Sequence, residues 1–184
     1  IGSSLVGSEM CIRDRRALVL TGHHGEQFDG FLHSGIDLTF VKEQEQLGTG
    51  GALWNARDYL EDEFILLWGD DYHPIQYAPL VNLHREASST LTMTVTTEHN
   101  DRNLQHEQGR LVHYAKDGDV PTEFNGYEAG TSVVRKSVVE SFGQEGKWSW
   151  EKTVYPALSK DIHVHVDNTK SVSYTHLRAH ETRT

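Results

Sequence analysis

Short apolar runs separated by polar turns dominate the first half of the chain. Four of these runs have the length or the alternation of β-strands: Ala17–Leu20, Ile36–Val41, Phe64–Trp68 and Ser89–Thr97. Apolar side chains recur at helical spacing in three intervening segments: Gln27–His33, Ala52–Leu60 and Tyr77–Arg85. Strands that alternate with helices predict an α/β fold, with a mixed, mostly parallel sheet and helices on both faces.

The second half of the chain is less regular. Three segments are typical of strands: Arg110–Lys116, Ala129–Arg135 and His163–Val166. Two segments are typical of short helices: Ser137–Phe142 and Glu151–Leu158. No internal repeat or low-complexity linker separates the halves, so a single α/β unit is expected.

The two ends of the chain have an unusual relationship. Leu5–Asp14 and Val172–Glu181 can be written as translations of opposite strands of one stretch of DNA, over ten codons. The pair resembles a transposon-derived adapter used in DNA library preparation. We therefore expect residues 1–15 and 171–184 to be adapter-derived, and residues 16–170 to be a partial domain, and we exclude both ends from fold reasoning.

Charge and cysteine content narrow the functional classes. Without the two ends the chain loses four of 17 basic and three of 27 acidic residues, so its formal net charge moves from -10 to -11. Such a chain lacks the basic face that nucleic-acid binding requires. No apolar run approaches the roughly 20 residues of a membrane span. The single cysteine, Cys11, lies in the excluded N-terminal segment, which leaves no disulfide or cysteine-based zinc site.

A glycine-rich segment, Leu47–Leu53, precedes the helix-like Ala52–Leu60. Two interpretations are open. The glycines could form a simple strand-to-helix connection without a ligand. Alternatively, the unpaired N–H groups of a helix N-terminus could bind a phosphate or a base carbonyl.

A second candidate site is the sequence WGDD, which ends the apolar run Phe64–Trp68. Ligands in open α/β sheets bind beyond the carboxyl ends of the strands. Asp70 and Asp71 could therefore hold a hard cation through carboxylate oxygens. The alternative is that both are solvated or helix-capping aspartates.

These features occur in the order of a known family. The chain contains EQEQLGTGGAL, an apolar strand ending in GDD, NGYEAGTSVVRKSVVE and WEKTVYPAL. The combination resembles the sugar-1-phosphate nucleotidyltransferases over nearly all of residues 17–166. The resemblance implies a Rossmann-like, glycosyltransferase-A-type fold and a magnesium-dependent transfer of a nucleotidyl group from an NTP to a sugar 1-phosphate, with release of pyrophosphate. LGTGGAL leans toward the guanylyl- and mannose- or heptose-type branch.

The resemblance also assigns residues. The nucleotide would face the glycine motif, Gly48, Thr49, Gly50 and Gly51, and Mg²⁺ would bind Asp70. Lys116 and Lys152 would be the catalytic lysines, although Ala115 replaces the glutamate that the family has before the first of them. The sugar-phosphate site would be formed by Asn125, Gly130, Glu151 and Lys152.

Two motifs of the family are absent from the chain: the N-terminal GGxGTRLxPLT…PKP loop and a late metal-binding aspartate. The expectation is an internal fragment, without turnover of its own, of a cytoplasmic parent enzyme that is compatible with homo-oligomerisation. Two other functions stay open: a metal-dependent glycosyltransferase of the same fold, and a non-catalytic regulatory subunit. An intact upstream loop would favour the transferase.

Overall fold

A computed structural model describes residues 16–22, 25–28, 30, 35–69, 71–118, 120–169 and 172–173. Asp70 lies outside these residues, as do the two predicted adapter segments apart from Val172 and Ser173. Within the described part of the chain, no helix is long and apolar enough to cross a membrane.

The described residues form ten strands and four α-helices. The strands are β1 Arg16–Thr21, β2 Asp37–Lys42, β3 Glu63–Leu67, β4 Asp71–Tyr72, β5 Leu91–Thr96, β6 Leu104–Glu107, β7 Arg110–Tyr114, β8 Tyr127–Arg135, β9 His163–Val166 and β10 Val172–Ser173. The helices are α1 Gly48–Asn55, α2 Tyr77–Glu86, α3 Lys136–Phe142 and α4 Trp150–Ala157. Short 3₁₀ turns occur at Gly25–Phe28 and Arg57–Tyr59.

Six strands make up the main sheet, in the order β3-β8-β5-β9-β7-β6. Strands β5 and β9 pair in parallel, whereas β8 runs antiparallel to both β3 and β5. The predicted mixed α/β sheet is confirmed. Its neighbouring strands are mostly antiparallel rather than parallel, however, because β8 inserts between β3 and β5, which themselves run in the same direction.

Two smaller ladders complete the sheet structure. Strands β1 and β2 pair in parallel, and β4 pairs antiparallel with β10. Strand β10 belongs to the segment that we assign to the adapter. Because backbone groups of any sequence can form such a ladder, this pairing does not test the assignment.

Helices cover both faces of the main sheet, as predicted. Val133 and Val134 are neighbours on β8 and therefore point to opposite faces. Val133 packs with Leu80 and Val81 of α2. Val134 belongs to the larger apolar cluster on the other face, which contains residues of the three remaining helices, including Leu53, Val139 and Trp150.

One local prediction was wrong, and one strand was missed. Helix α1 begins at Gly48 rather than Ala52, so the glycines form its first turn instead of a loop ahead of it. Strand β6, with the sequence LQHE, was not predicted, because its polar side chains give no apolar pattern. It is held by pairing with β7, a contact that depends on the backbone.

Candidate functional site

A cleft of about 220 Å³ brings together residues from two parts of the chain that are distant in sequence. Its lining consists of Tyr114, Lys116, Asp117, Glu151, Lys152 and Pro156. The first three lie at or just beyond the end of β7, and the others belong to α4. Both lysines that the sequence predicts to be catalytic therefore lie in one cleft.

Glu151 is the buried centre of this cleft. Its residue exposure is only 6%, yet its carboxylate accepts hydrogen bonds from three side chains. Lys116 donates to Oε1, while Thr49 Oγ1 and Ser149 Oγ donate to Oε2 at 2.5 and 2.9 Å. Burial alone raises the pKa of Glu151, but the hydrogen bonds outweigh it and hold the pKa below its ordinary value. The carboxylate is therefore ionised at neutral pH.

Lys152 makes the second ion pair of the cleft, with Asp117 at 2.5 Å. Both side chains are exposed, by 58% and 67%. The hydrogen bond from Lys152 lowers the pKa of Asp117, and the same bond raises the pKa of Lys152. The adjacent residues Lys116 and Asp117 thus pair with the adjacent residues Glu151 and Lys152, in the same order.

Tyr114 gives the cleft an aromatic wall. Its ring packs edge-to-face on the buried ring of Tyr155, with 4.9 Å between centroids. Burial raises the pKa of both phenols, and the charge of Glu128 adds to the effect. Both hydroxyls are therefore neutral near pH 7 and suit hydrogen bonding rather than proton abstraction.

The glycine motif has a structural explanation in its contact with residues 146–148. Gly48 has φ +70°, and a side chain there would also come within 2.6 Å of the Trp148 carbonyl oxygen. A Cβ on Gly50 would overlap the Trp148 ring, and one on Gly51 would lie 2.5 Å from the Gly146 carbonyl oxygen. The glycines thus allow α1 to pack closely against the segment that leads into α4.

This contact corrects one part of the sequence interpretation. The backbone N–H of Gly50 is not unpaired, because it donates to the Trp148 carbonyl at 3.1 Å. The Thr49 hydroxyl is also engaged, with Glu151. Nucleotide binding by Gly48, Thr49, Gly50 and Gly51 stays a prediction, but free donors at these two groups cannot be its basis.

Asn125 and Gly130 do not line the cleft described above. The Asn125 amide spans the backbone of His106, accepting from its N–H and donating to its carbonyl, each at 2.9 Å. Gly130 has φ +73° and lies where the pairing of β5 and β8 shifts register. Its carbonyl accepts from the Trp68 N–H at 2.9 Å, which ties it to the end of β3. Their assignment to a sugar site stays a prediction.

The predicted magnesium ligand, Asp70, lies outside the described residues. Among the described residues, no group of three or more His, Cys, Asp or Glu side chains could hold a metal ion. Magnesium binding stays a prediction that depends on Asp70.

Sequence reasoning missed three residues that line the cleft, Tyr114, Asp117 and Pro156, and one residue that supports it, Ser149. Ser149 carried a usable signal, since a serine before a helix is a common N-cap, and its Oγ accepts from the Lys152 N–H at 3.3 Å. Asp117 and Tyr114 gave no signal, because their roles arise only when the end of β7 meets α4.

Comparisons with known proteins agree with this fold. No family model matches the chain. The chain is 28% identical over 133 residues to a mannose-1-phosphate guanylyltransferase of Mycobacterium tuberculosis, covering 69% of this chain and 36% of the relative. It is 29% identical over 142 residues to a mannose-1-phosphate guanyltransferase of Schizosaccharomyces pombe, covering 71% and 38%. The chain thus spans less than two-fifths of either enzyme.

Solved structures extend the comparison to the fold. HddC from Yersinia pseudotuberculosis, in complex with GMP-PN, superposes with a TM-score of 0.74 at 19% identity. The match covers 93% of this chain and 78% of that one. The chain therefore has the α/β fold of the nucleotidyltransferases and is similar in sequence to enzymes that act on sugar 1-phosphates.

Proposed function

We propose that the chain is the core of a sugar-1-phosphate nucleotidyltransferase, which transfers a nucleotidyl group from an NTP to a sugar 1-phosphate. The guanylyl group and a mannose- or heptose-type phosphate are the proposed substrates, supported by the two similar guanylyltransferases. The observation that carries the proposal is the meeting of Lys116, Glu151 and Lys152 in one cleft that adjoins the glycine motif through Thr49.

The cleft suits the charges of this reaction. A sugar phosphate that attacks the α-phosphorus brings two anionic groups together, so cations must offset the repulsion. Lys152 is exposed, and its bond to exposed Asp117 can be exchanged for one to a phosphate oxygen at low cost. Lys116 is held by buried Glu151, which fixes the position of its ammonium group. No activated nucleophile is required, since the attacking group is already a phosphate.

Ligand binding is the primary test, because it reports on the cleft directly and does not require turnover. Calorimetry with GTP, ATP, CTP, UTP and dTTP, and separately with mannose 1-phosphate and glucose 1-phosphate, should show saturable binding from both groups of ligand, with GTP preferred. Absence of saturable binding from both groups would overturn the proposal. Binding of a nucleoside diphosphate sugar without binding of any NTP or sugar 1-phosphate would instead favour the glycosyltransferase.

Two variants locate the sugar-phosphate site. Lys116→Met and Lys152→Met should each weaken sugar-phosphate binding about tenfold, the usual effect of one lost charge-assisted hydrogen bond, while GTP binding is retained. Lys42→Met is the control, since Lys42 lies on β2 with a side chain that is 56% exposed. Equal losses in all three variants would mean that the cleft is not the binding site.

A further inference from the structure

Thr49 uses its hydroxyl twice within the protein. The hydroxyl donates to Glu151 Oε2 at 2.5 Å and accepts from the backbone N–H of Trp150 at 2.9 Å. One hydroxyl has a single proton to donate, and that proton is directed at the carboxylate. The Thr49 hydroxyl thus bonds to residues of α4, and its proton is not free for a ligand bound at the start of α1.

The surrounding backbone fixes this arrangement. The Trp148 N–H donates to the Leu47 carbonyl at 2.9 Å, and the Gly50 N–H donates to the Trp148 carbonyl at 3.1 Å. These two bonds lie on either side of Thr49 and join the start of α1 to the segment before α4. Thr49 therefore meets Glu151 at a rigid junction and not through a flexible side chain.

We propose that Thr49 is a positioning residue whose hydroxyl fixes Oε2 of Glu151 so that Oε1 holds the Lys116 ammonium group in the cleft. What Lys116 binds rests on the proposed function, but the link from Thr49 through Glu151 to Lys116 rests on the geometry alone. For the Thr49 hydroxyl, this role is the alternative to the direct nucleotide contact that the sequence resemblance implies.

The chemistry of the junction shows why a hydroxyl is needed. A hydrogen bond to an ionised carboxylate stabilises the charged form. Burial has the opposite effect, because it disfavours the ionised form of Glu151. The charged or titratable groups around it are Lys116 and Asp117 after β7, Tyr114 on β7, and Lys152 and Tyr155 on α4. Valine has the shape of threonine but has no hydroxyl, so Thr49→Val removes the bond to Glu151 and the acceptor of the Trp150 N–H, with little change in volume.

The test follows the Glu151 carboxyl carbon by NMR as a function of pH, in the wild type, Thr49→Val and Thr49→Ser, with Glu151→Gln to assign the signal. Thr49→Val should raise the pKa of Glu151, and Thr49→Ser should restore it. Inorganic phosphate serves as the probe of Lys116. Its dissociation constant should rise about threefold or more in Thr49→Val and return toward the wild-type value in Thr49→Ser.

The outcomes distinguish a positioning role for Thr49 from direct contact with the nucleotide. An unchanged Glu151 pKa in Thr49→Val, or a serine variant that behaves like the valine variant, would overturn the proposal. Loss of GTP binding with phosphate binding intact would show instead that Thr49 faces the nucleotide. If the wild type binds neither ligand, the proposed function fails, while the Glu151 titration still decides the role of Thr49.

Discussion

The two ion pairs of the cleft have the same chemistry and opposite surroundings. In the first, Glu151 has a side chain that is only 8% exposed, and it collects donors from Lys116, Thr49 and Ser149. In the second, Asp117 and Lys152 are both more than half exposed and bond chiefly to each other. A buried carboxylate with several donors fixes geometry, whereas an exposed pair exchanges partners readily.

The difference assigns separate tasks to the two lysines. The ammonium group of Lys116 has a fixed position in the cleft, because its partner Glu151 is also held by the hydroxyls of Thr49 and Ser149. Lys152 can leave Asp117 for a stronger anion, because water and salt already weaken that pair. A cleft of this kind combines a fixed cation with an adaptable one.

Removal of the buried carboxylate should have the largest effect. Glu151→Ala leaves the Lys116 ammonium and two hydroxyls without their acceptor, so we expect a loss of about 2–3 kcal/mol in the free energy of unfolding. Urea denaturation measures the change. Asp117→Ala is the matched control and should lower the unfolding midpoint much less, because its ion pair is exposed. Equal effects from the two variants would show that burial does not distinguish the pairs.

A single methyl group added at Gly50, where α1 packs against Trp148, should also destabilise the protein. Gly50→Ala would ordinarily stabilise a helix by up to about 1 kcal/mol. Here the new Cβ would overlap the Trp148 ring, so we expect a loss of about 1–2 kcal/mol from overpacking. Asn55→Ala, at an exposed position of the same helix, is the control. A stabilised Gly50→Ala would contradict the tight contact between α1 and Trp148.

Part of the fold could be predicted from the sequence, and part could not. Apolar periodicity predicted the principal strands, α2 and the two-faced covering of the sheet, because burial imposes that pattern on the chain. It could not place β8 between β3 and β5, since the order of strands depends on contacts that are distant in sequence.

The candidate site, too, was predicted only in part. Lys116, Glu151 and Lys152 were selected from motifs and do meet in the cleft. The glycines were interpreted as ligand-facing, although close contacts with Gly146 and Trp148 account for their lack of side chains. Trp148 lies about a hundred positions away, so no local pattern could reveal the contact. Asp117 pairs with Lys152 only because the fold brings β7 to α4.

Lowering the pH should distinguish the contributions of the two ion pairs to the free energy of unfolding. The pKa of Glu151 is lowered in the folded state, so its contribution to stability is present above its unfolded pKa, about 4.5, and is lost as pH falls through the folded value. The difference in unfolding free energy between the wild type and Glu151→Gln should be constant near neutral pH and shrink below about pH 4.5. Urea denaturation across pH 3–7 (roughly the range in which carboxylates titrate) measures it.

The same series includes its control. Asp117→Asn should give a pH dependence of the same sign, because the pKa of Asp117 is also lowered, but a smaller one that high salt suppresses. A difference for Glu151→Gln that grows as the pH falls would contradict the ionised state of the buried carboxylate.

The smallest effect concerns the exposed pair and appears in binding rather than stability. Asp117 competes with an incoming anion for Lys152, so Asp117→Asn should tighten the binding of inorganic phosphate a few-fold while the unfolding midpoint changes only slightly. Because the competitor is a screened surface charge, the gain should be largest at low ionic strength and fade as salt approaches about 1 M, where the screening length is about 3 Å. Calorimetric titrations at two salt concentrations measure it. Weaker phosphate binding in Asp117→Asn would mean that Asp117 orients Lys152 toward the ligand, and the exposed pair would then serve the same positioning role as the buried one.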